Sequence, residues 1–268
     1  MGSGRRIVLV AGAILASVFL AWTFSTKRQP VYQGKSLTTW LHQYHTNRWP
    51  LDKEAEAAIR HFGTNASPLL LQLMSTRESA VTLKLLAIVP KKLQAQFQVP
   101  TVNDYVHKVS GYRRVGAAGF MALGEQARPA VPNLMALLDD KNKDVRYLAV
   151  FALRCLGPVA RDALTALTNC LSDPEFAVRD DAVMALGTMR AEPERVVPLI
   201  IAFLEKYRSD HILSRDAIYS LMQFKADAKP AIPILLSFLD NQNAEVQGAA
   251  AMAIREIDPE TAAKAGAK

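Results

Sequence analysis

Four arginines recur at a nearly constant interval in this 268-residue chain: Arg113, Arg146, Arg179 and Arg215, separated by 33, 33 and 36 residues. A periodic row of guanidinium groups is chemistry for anions, because each offers five N–H donors in a planar fork. Aspartates stand ahead of the later members at Asp139, Asp140, Asp173, Asp210 and Asp240. The row therefore has two readings, an anion-binding strip or internal salt links. Gln247 replaces the arginine in the last interval.

Nucleophile and metal chemistry find little support. Cys170 shares a repeat column with Leu137, Phe203 and Phe238, which reads as core packing. A disulfide to Cys155 stays open, since spacing does not give a Cα distance. His42 and His45 share a helix face at i, i+3, but no nearby Asp, Glu or Cys completes a metal set. Gly111 to Gly116 has phosphate-loop spacing, yet Ala117 and Ala118 stand where Lys and Ser or Thr are required. Asp180 and Asp181 are adjacent on a helix and point apart, so they read as surface acids. The sequence thus nominates no catalytic residue, metal or cofactor, and a non-enzymatic protein is expected.

What must position these residues is an ordered, helical chain. Half the residues are apolar and 21% are charged, which excludes a disordered chain. Two cysteines exclude a disulfide scaffold. The net charge of +7 resides in the N-terminal part, because residues 113–268 carry nineteen Lys or Arg against twenty Asp or Glu. Nucleic-acid binding is not expected without a concentrated basic surface.

Residues 7–24 (IVLVAGAILASVFLAWTF) form an uncharged apolar run flanked by Arg5, Arg6, Lys27 and Arg28. As a helix it would span about 27 Å, close to the roughly 30 Å hydrocarbon core. A single-pass membrane protein is expected, with the bulk of the chain exported. A cleaved signal peptide and secretion is the alternative, although Trp22 and Phe24 occupy the cleavage end.

Beyond the run the pattern is helical. Leu37, Trp40, Leu41 and Tyr44 follow i, i+3, i+4, i+7, with Ser36 as N-cap. From Arg113 onward the chain is self-similar. Small residues recur three positions after the first three arginines, at Gly116, Ala149 and Ala182. A second helix repeats in the columns Val131, Leu164, Val197, Ile232 and Leu134, Leu167, Ile200, Leu235. Pro132, Pro198 and Pro233 fit a first helical turn, where N–H groups have no intrahelical partner. Each unit reads as two helices and needs neighbours to bury both faces.

These units resemble HEAT repeats of the short PBS-lyase type. The resemblance is carried by Ala122 to Pro132 (ALGEQARPAVP), Ala182 to Gly187 (AVMALG) and Ala226 to Pro233 (ADAKPAIP), with a degenerate unit at Ala57 to Met74. Tyr32 to Leu41 is similar to a lead-in of bacterial, membrane-attached HEAT proteins, placing the chain in a bacterial inner membrane. The resemblance implies an all-α solenoid of stacked hairpins preceded by one N-terminal transmembrane helix. Its divisions are an anchor at 1–26, a linker at 27–35, degenerate repeats at 36–112, HEAT-like repeats at 113–258 and a tail at 259–268. It also implies an Asp–Arg ladder between repeats, built from Arg113, Arg146, Arg179 and Arg215 with Asp140, Asp173, Asp210 and Asp240. In HEAT solenoids the second helices line the concave face, which places Asn133, Ala136, Asn169, Ala202 and Ser237 on a partner-binding surface. The expected function is a membrane-anchored scaffold for a protein partner. The alternatives are a lyase or isomerase acting on a bilin-like ligand, and a nucleic-acid binder. The His-Glu pairs of HEAT-like iron hydroxylases are missing.

Overall fold

The computed structural model describes residues 30–46 and 52–265. The chain divides into two compact units, residues 1–119 and 120–268.

Unit 1 opens on a small antiparallel hairpin, β1 (Val31–Tyr32) and β2 (Lys35–Ser36). Gln33 and Gly34 join the strands with positive φ, as a tight hairpin turn demands. No alternation signalled this hairpin in the sequence, because two residues per strand are too few to alternate. Helices α1 (Leu37–Thr46), α2 (Lys53–Phe62), α3 (Ser67–Met74), α4 (Ala80–Ile88) and α5 (Lys91–Phe97) follow. Helix α6 (Val102–Leu123) carries the unit boundary. The Ser36 hydroxyl accepts from the Thr39 N–H at 3.3 Å and helps fix the start of α1. The stripe Leu37, Trp40, Leu41, Tyr44 is buried, as are Ile59 and Phe62 of α2. At Gly116 a Cβ would lie 2.7 Å from the Leu70 carbonyl oxygen, so glycine sets how closely α6 approaches α3.

Unit 2 is a repeat solenoid of helical hairpins. Its first helices are the end of α6, α8 (Lys143–Leu156), α10 (Phe176–Met189), α12 (His211–Met222) and α14 (Ala244–Ile257). Its second helices are α7 (Val131–Ala136), α9 (Leu164–Cys170), α11 (Pro193–Lys206) and α13 (Ile232–Leu236), and α15 (Pro259–Ala265) follows α14. First helices pack on first helices, α8 on α10, α10 on α12 and α12 on α14. Asn142, Asp210 and Asn243 start α8, α12 and α14 by accepting backbone N–H bonds on their side chains. The column Leu134, Leu167, Ile200, Leu235 is fully buried, as its repeat position required.

The second helices depart from a uniform pattern. In three units a 3₁₀ turn (Gly124–Ala130, Gly157–Ala163 or Lys225–Ala231) leads into a short α-helix. Pro132 and Pro233 sit in the first turn of α7 and α13. In the remaining unit Arg190 and Glu192 take positive φ and α11 starts early, at Pro193, which leaves Pro198 inside the helix. Proline at a helix's first position has its φ already set and loses no hydrogen bond there, which lets this helix begin without the 3₁₀ turn.

The expected single-pass membrane location is corrected. Among the described residues, no helix is long and apolar enough to cross a membrane. Residues 7–24, on which that expectation rested, lie outside the described residues.

Two glycines give opposite predictions. A Cβ on Gly187 would come within 2.7 Å of the Ser220 Cα, at the α10–α12 contact. Gly187→Ala is expected to lose about 1–3 kcal/mol, as overpacked cores do. At Gly248, inside α14, an added Cβ would meet nothing within 4 Å. Gly248→Ala should gain about 0.5–1 kcal/mol through helix propensity. Urea unfolding midpoints check both signs.

Candidate functional site

The second-helix layer of unit 2 carries the residues nominated for partner contact. Asn133 and Ala136 lie on α7, Asn169 on α9 and Ala202 on α11, all exposed. Ser237 follows the end of α13, also exposed. Asn133, Asn169, Ala202 and Ser237 each precede a buried anchor, Leu134, Cys170, Phe203 and Phe238 in turn. The strip carries short side chains from α7 to α11. It ends at Ser237, which accepts a hydrogen bond from Arg208, whose guanidinium stands 4.8 Å above the Phe238 ring. A shallow hollow of about 130 Å³ opens beside Asn169, lined also by Leu138, Asp139, Ala166, Cys170 and Asp173. A second, of about 270 Å³, is lined by Arg161, Asp162, Leu164, Thr165, Ala191 and Glu192. Both fall below the usual volume of a small-molecule site.

Cys170 is no nucleophile at neutral pH. Burial pushes its thiol up to about 11, with nearby Asp173 and Asp139 adding to the shift. Burial also raises the Cys155 thiol, and both cysteines are free. Burial, Arg114 and His42 lower the His45 pKa.

The periodic arginines are embedded in turns. Arg113 is fully buried in unit 1, donating to the Thr76 carbonyl at 2.8 Å and pairing with Glu78 at 2.6 Å. Arg146 grips Asp173 of the next unit through Nε and Nη2, at 2.8 and 3.0 Å, and reaches the Asp140 carbonyl at 2.9 Å. Arg179 donates to the carbonyls of Asp173 and Pro174 and stacks over Tyr207. Arg215 pairs with Asp216 at 2.8 Å and with Glu245 of the next unit at 3.1 Å. The Asp140 carboxylate accepts from the Asn142 N–H, Asp210 caps α12, and Asp240 is exposed. Burial alone would raise the Asp173 carboxyl, but hydrogen bonds from Arg146 and the Glu175 N–H outweigh it and hold the pKa low.

A polar seam between the first helices was not foreseen. Asp181 is only 8% exposed and pairs with Arg154 of α8 at 2.9 Å. The reading of Asp180 and Asp181 as surface acids is therefore corrected. The signal lay in the columns: Asp181 shares its repeat position with Leu148 and Ala217, both buried. Asp180 meets Asp216 of α12 carboxyl to carboxyl, and its Oδ1 is buried without a hydrogen-bond partner. Two adjacent carboxylates repel, and a proton shared between them removes the charge conflict. Burial first, then Asp216 and Asp181, push the Asp180 pKa up to about 7, against the pull of Arg215. Tyr147 of α8 faces the same acids.

This arrangement has a pH sign. The folded Asp180 holds its proton more tightly than the unfolded chain does, so its contribution is complete below the ordinary value of 3.8 and is lost as pH rises through about 7. The Asp180 contribution to stability should rise by about 1–2 kcal/mol on acidification from pH 8 to pH 5, reduced by its partial exposure. Asp180→Asn, which supplies a permanent donor to Asp216, should flatten that slope and raise Tm at pH 8. An unchanged slope in a calorimetric pH series contradicts the shared proton.

A family model of HEAT repeats matches residues 110–187, 131–221 and 164–255, together more than half the chain. No curated protein matches the sequence. Among solved structures, the chain is similar to a designed armadillo repeat protein in complex with the peptide (KR)4. Their identity is 17%, covering 84% of this chain and 100% of that one, with a TM-score of 0.47. It is also similar to an engineered protein at 17% identity, covering 83% of this chain and 96% of that one, with a TM-score of 0.44.

Proposed function

Because this chain belongs to the HEAT-repeat family, we propose that unit 2 is a non-catalytic scaffold that binds a protein partner along its second-helix layer. One observation carries the reading. Exposed, short side chains recur in register at Ala136, Asn169 and Ala202, beside a hollow too small for a typical organic ligand. Such a strip lets a partner approach the helix backbones closely, while the fully buried columns beneath hold it rigid. A preorganised surface binds without a further ordering cost. The mixed charge of residues 113–268 fits a protein surface better than a polyphosphate backbone. Making or breaking bonds plays no part in this reading.

A large charged side chain should close the strip. Crosslinked pull-downs analysed by mass spectrometry would compare wild type with Asn169→Arg and with Met252→Arg, on the exposed part of first helix α14. The expected outcome is a partner lost from Asn169→Arg and retained by Met252→Arg. Identical partner sets in all three samples contradict the proposal.

A further inference from the structure

We infer that the exposed stripe of α4 in unit 1, with the lysines that follow it, is a separate docking surface for an acidic amphipathic helix of a protein partner. Val81, Lys84 and Ile88 stand at i, i+3 and i+7 and form one stripe along α4. All three are exposed, Val81 at 67% and Ile88 at 68%. The other side of the helix is accounted for, because Leu86 and the following Val89 are buried. On α5, Lys91 and Lys92 are exposed at the start. A large apolar side chain left in water singly is ordinary; two on one stripe of the same helix mark a candidate interaction surface.

Charge selects the occupant. Between Glu78 and Asp104 the sequence holds three lysines and no acid, and Glu78 is already paired with Arg113. A partner helix with an apolar stripe and flanking carboxylates would cover Val81 and Ile88 and place an acid against Lys84. A lipid surface fits less well. An interfacial helix segregates its apolar and charged faces, whereas Lys84 lies inside the stripe, one turn from each anchor. Sinking that stripe into acyl chains would carry an ammonium with it, and hydrocarbon penalises a charge. Nucleic acid fits less well again, since Val81 and Ile88 offer bases no aromatic face to stack on. The inference rests on unit 1 alone and stands or falls independently of the second-helix strip.

The test is a selection on the full chain from displayed amphipathic helical peptides, with Glu or Lys randomised beside a fixed Leu stripe. Acid-rich winners are expected. By fluorescence anisotropy, a synthetic winner should bind at least about tenfold more weakly to Lys84→Glu and to Ile88→Asp. It should bind Asn169→Arg as it binds wild type, and more weakly as salt rises. Unchanged circular dichroism would confirm that both exposed-site variants fold. Winners without acidic bias, or affinity indifferent to Lys84→Glu, overturn the inference. Cosedimentation with phosphatidylserine vesicles, or self-association on sedimentation, in place of peptide binding overturns it as well.

Discussion

The contact of one first helix with the next is the interaction on which the C-terminal unit depends. Alone, a two-helix hairpin has an apolar stripe on each side and cannot bury both. In unit 2 the burden falls on small residues. Ala149, Ala182, Ala217 and Ala250 are buried on α8, α10, α12 and α14. Glycine at 187 lets the Ser220 backbone approach more closely than any side chain would allow. The Ser220 hydroxyl then donates to the Val183 carbonyl and ties the two helices directly. Close backbone approach fixes the stacking; the second helices inherit their register from it.

Polar chemistry is arranged around that constraint. Charged groups that this layer buries in part need partners. Arg154 answers Asp181, and Arg215 answers Asp216 and Glu245. The acids still outnumber the arginines between α8 and α12, and burial together with this excess raises the Asp180 pKa. At the turns, Arg146 and Asp173 bind bidentately while Arg146 also reaches the Asp140 carbonyl. The arginine row is thereby spent on the molecule's own turns, which weakens its reading as a strip for external anions. The outward layer is left with short, uncommitted side chains, and these are what a partner would meet.

Much of this was legible in the sequence because a repeat reports each structural position several times. The column Leu134, Leu167, Ile200, Leu235 announced its burial by being apolar four times over. Adjacency within the helix makes Asp181 look like a surface acid, whereas its column, with Leu148 and Ala217 at the same position, points inward. The Asp180–Asp216 meeting joins residues 36 apart on different helices, and only the packing brings them together. The early start of α11 depended on positive φ at Arg190 and Glu192, where the residue types give no hint. Hydropathy alone suggested a membrane location that the described helices do not support. The strip's termination at Ser237 could not be read either, since it depends on where the Arg208 side chain folds.

The central claim is that neighbouring units of the C-terminal stack stabilise one another through their first helices. Amide hydrogen exchange in wild type and Leu186→Ala tests it most directly, because Leu186 is fully buried on α10. The account predicts that α8 and α12 lose protection together with α10. Faster exchange confined to α10, with both neighbours unchanged, would contradict it.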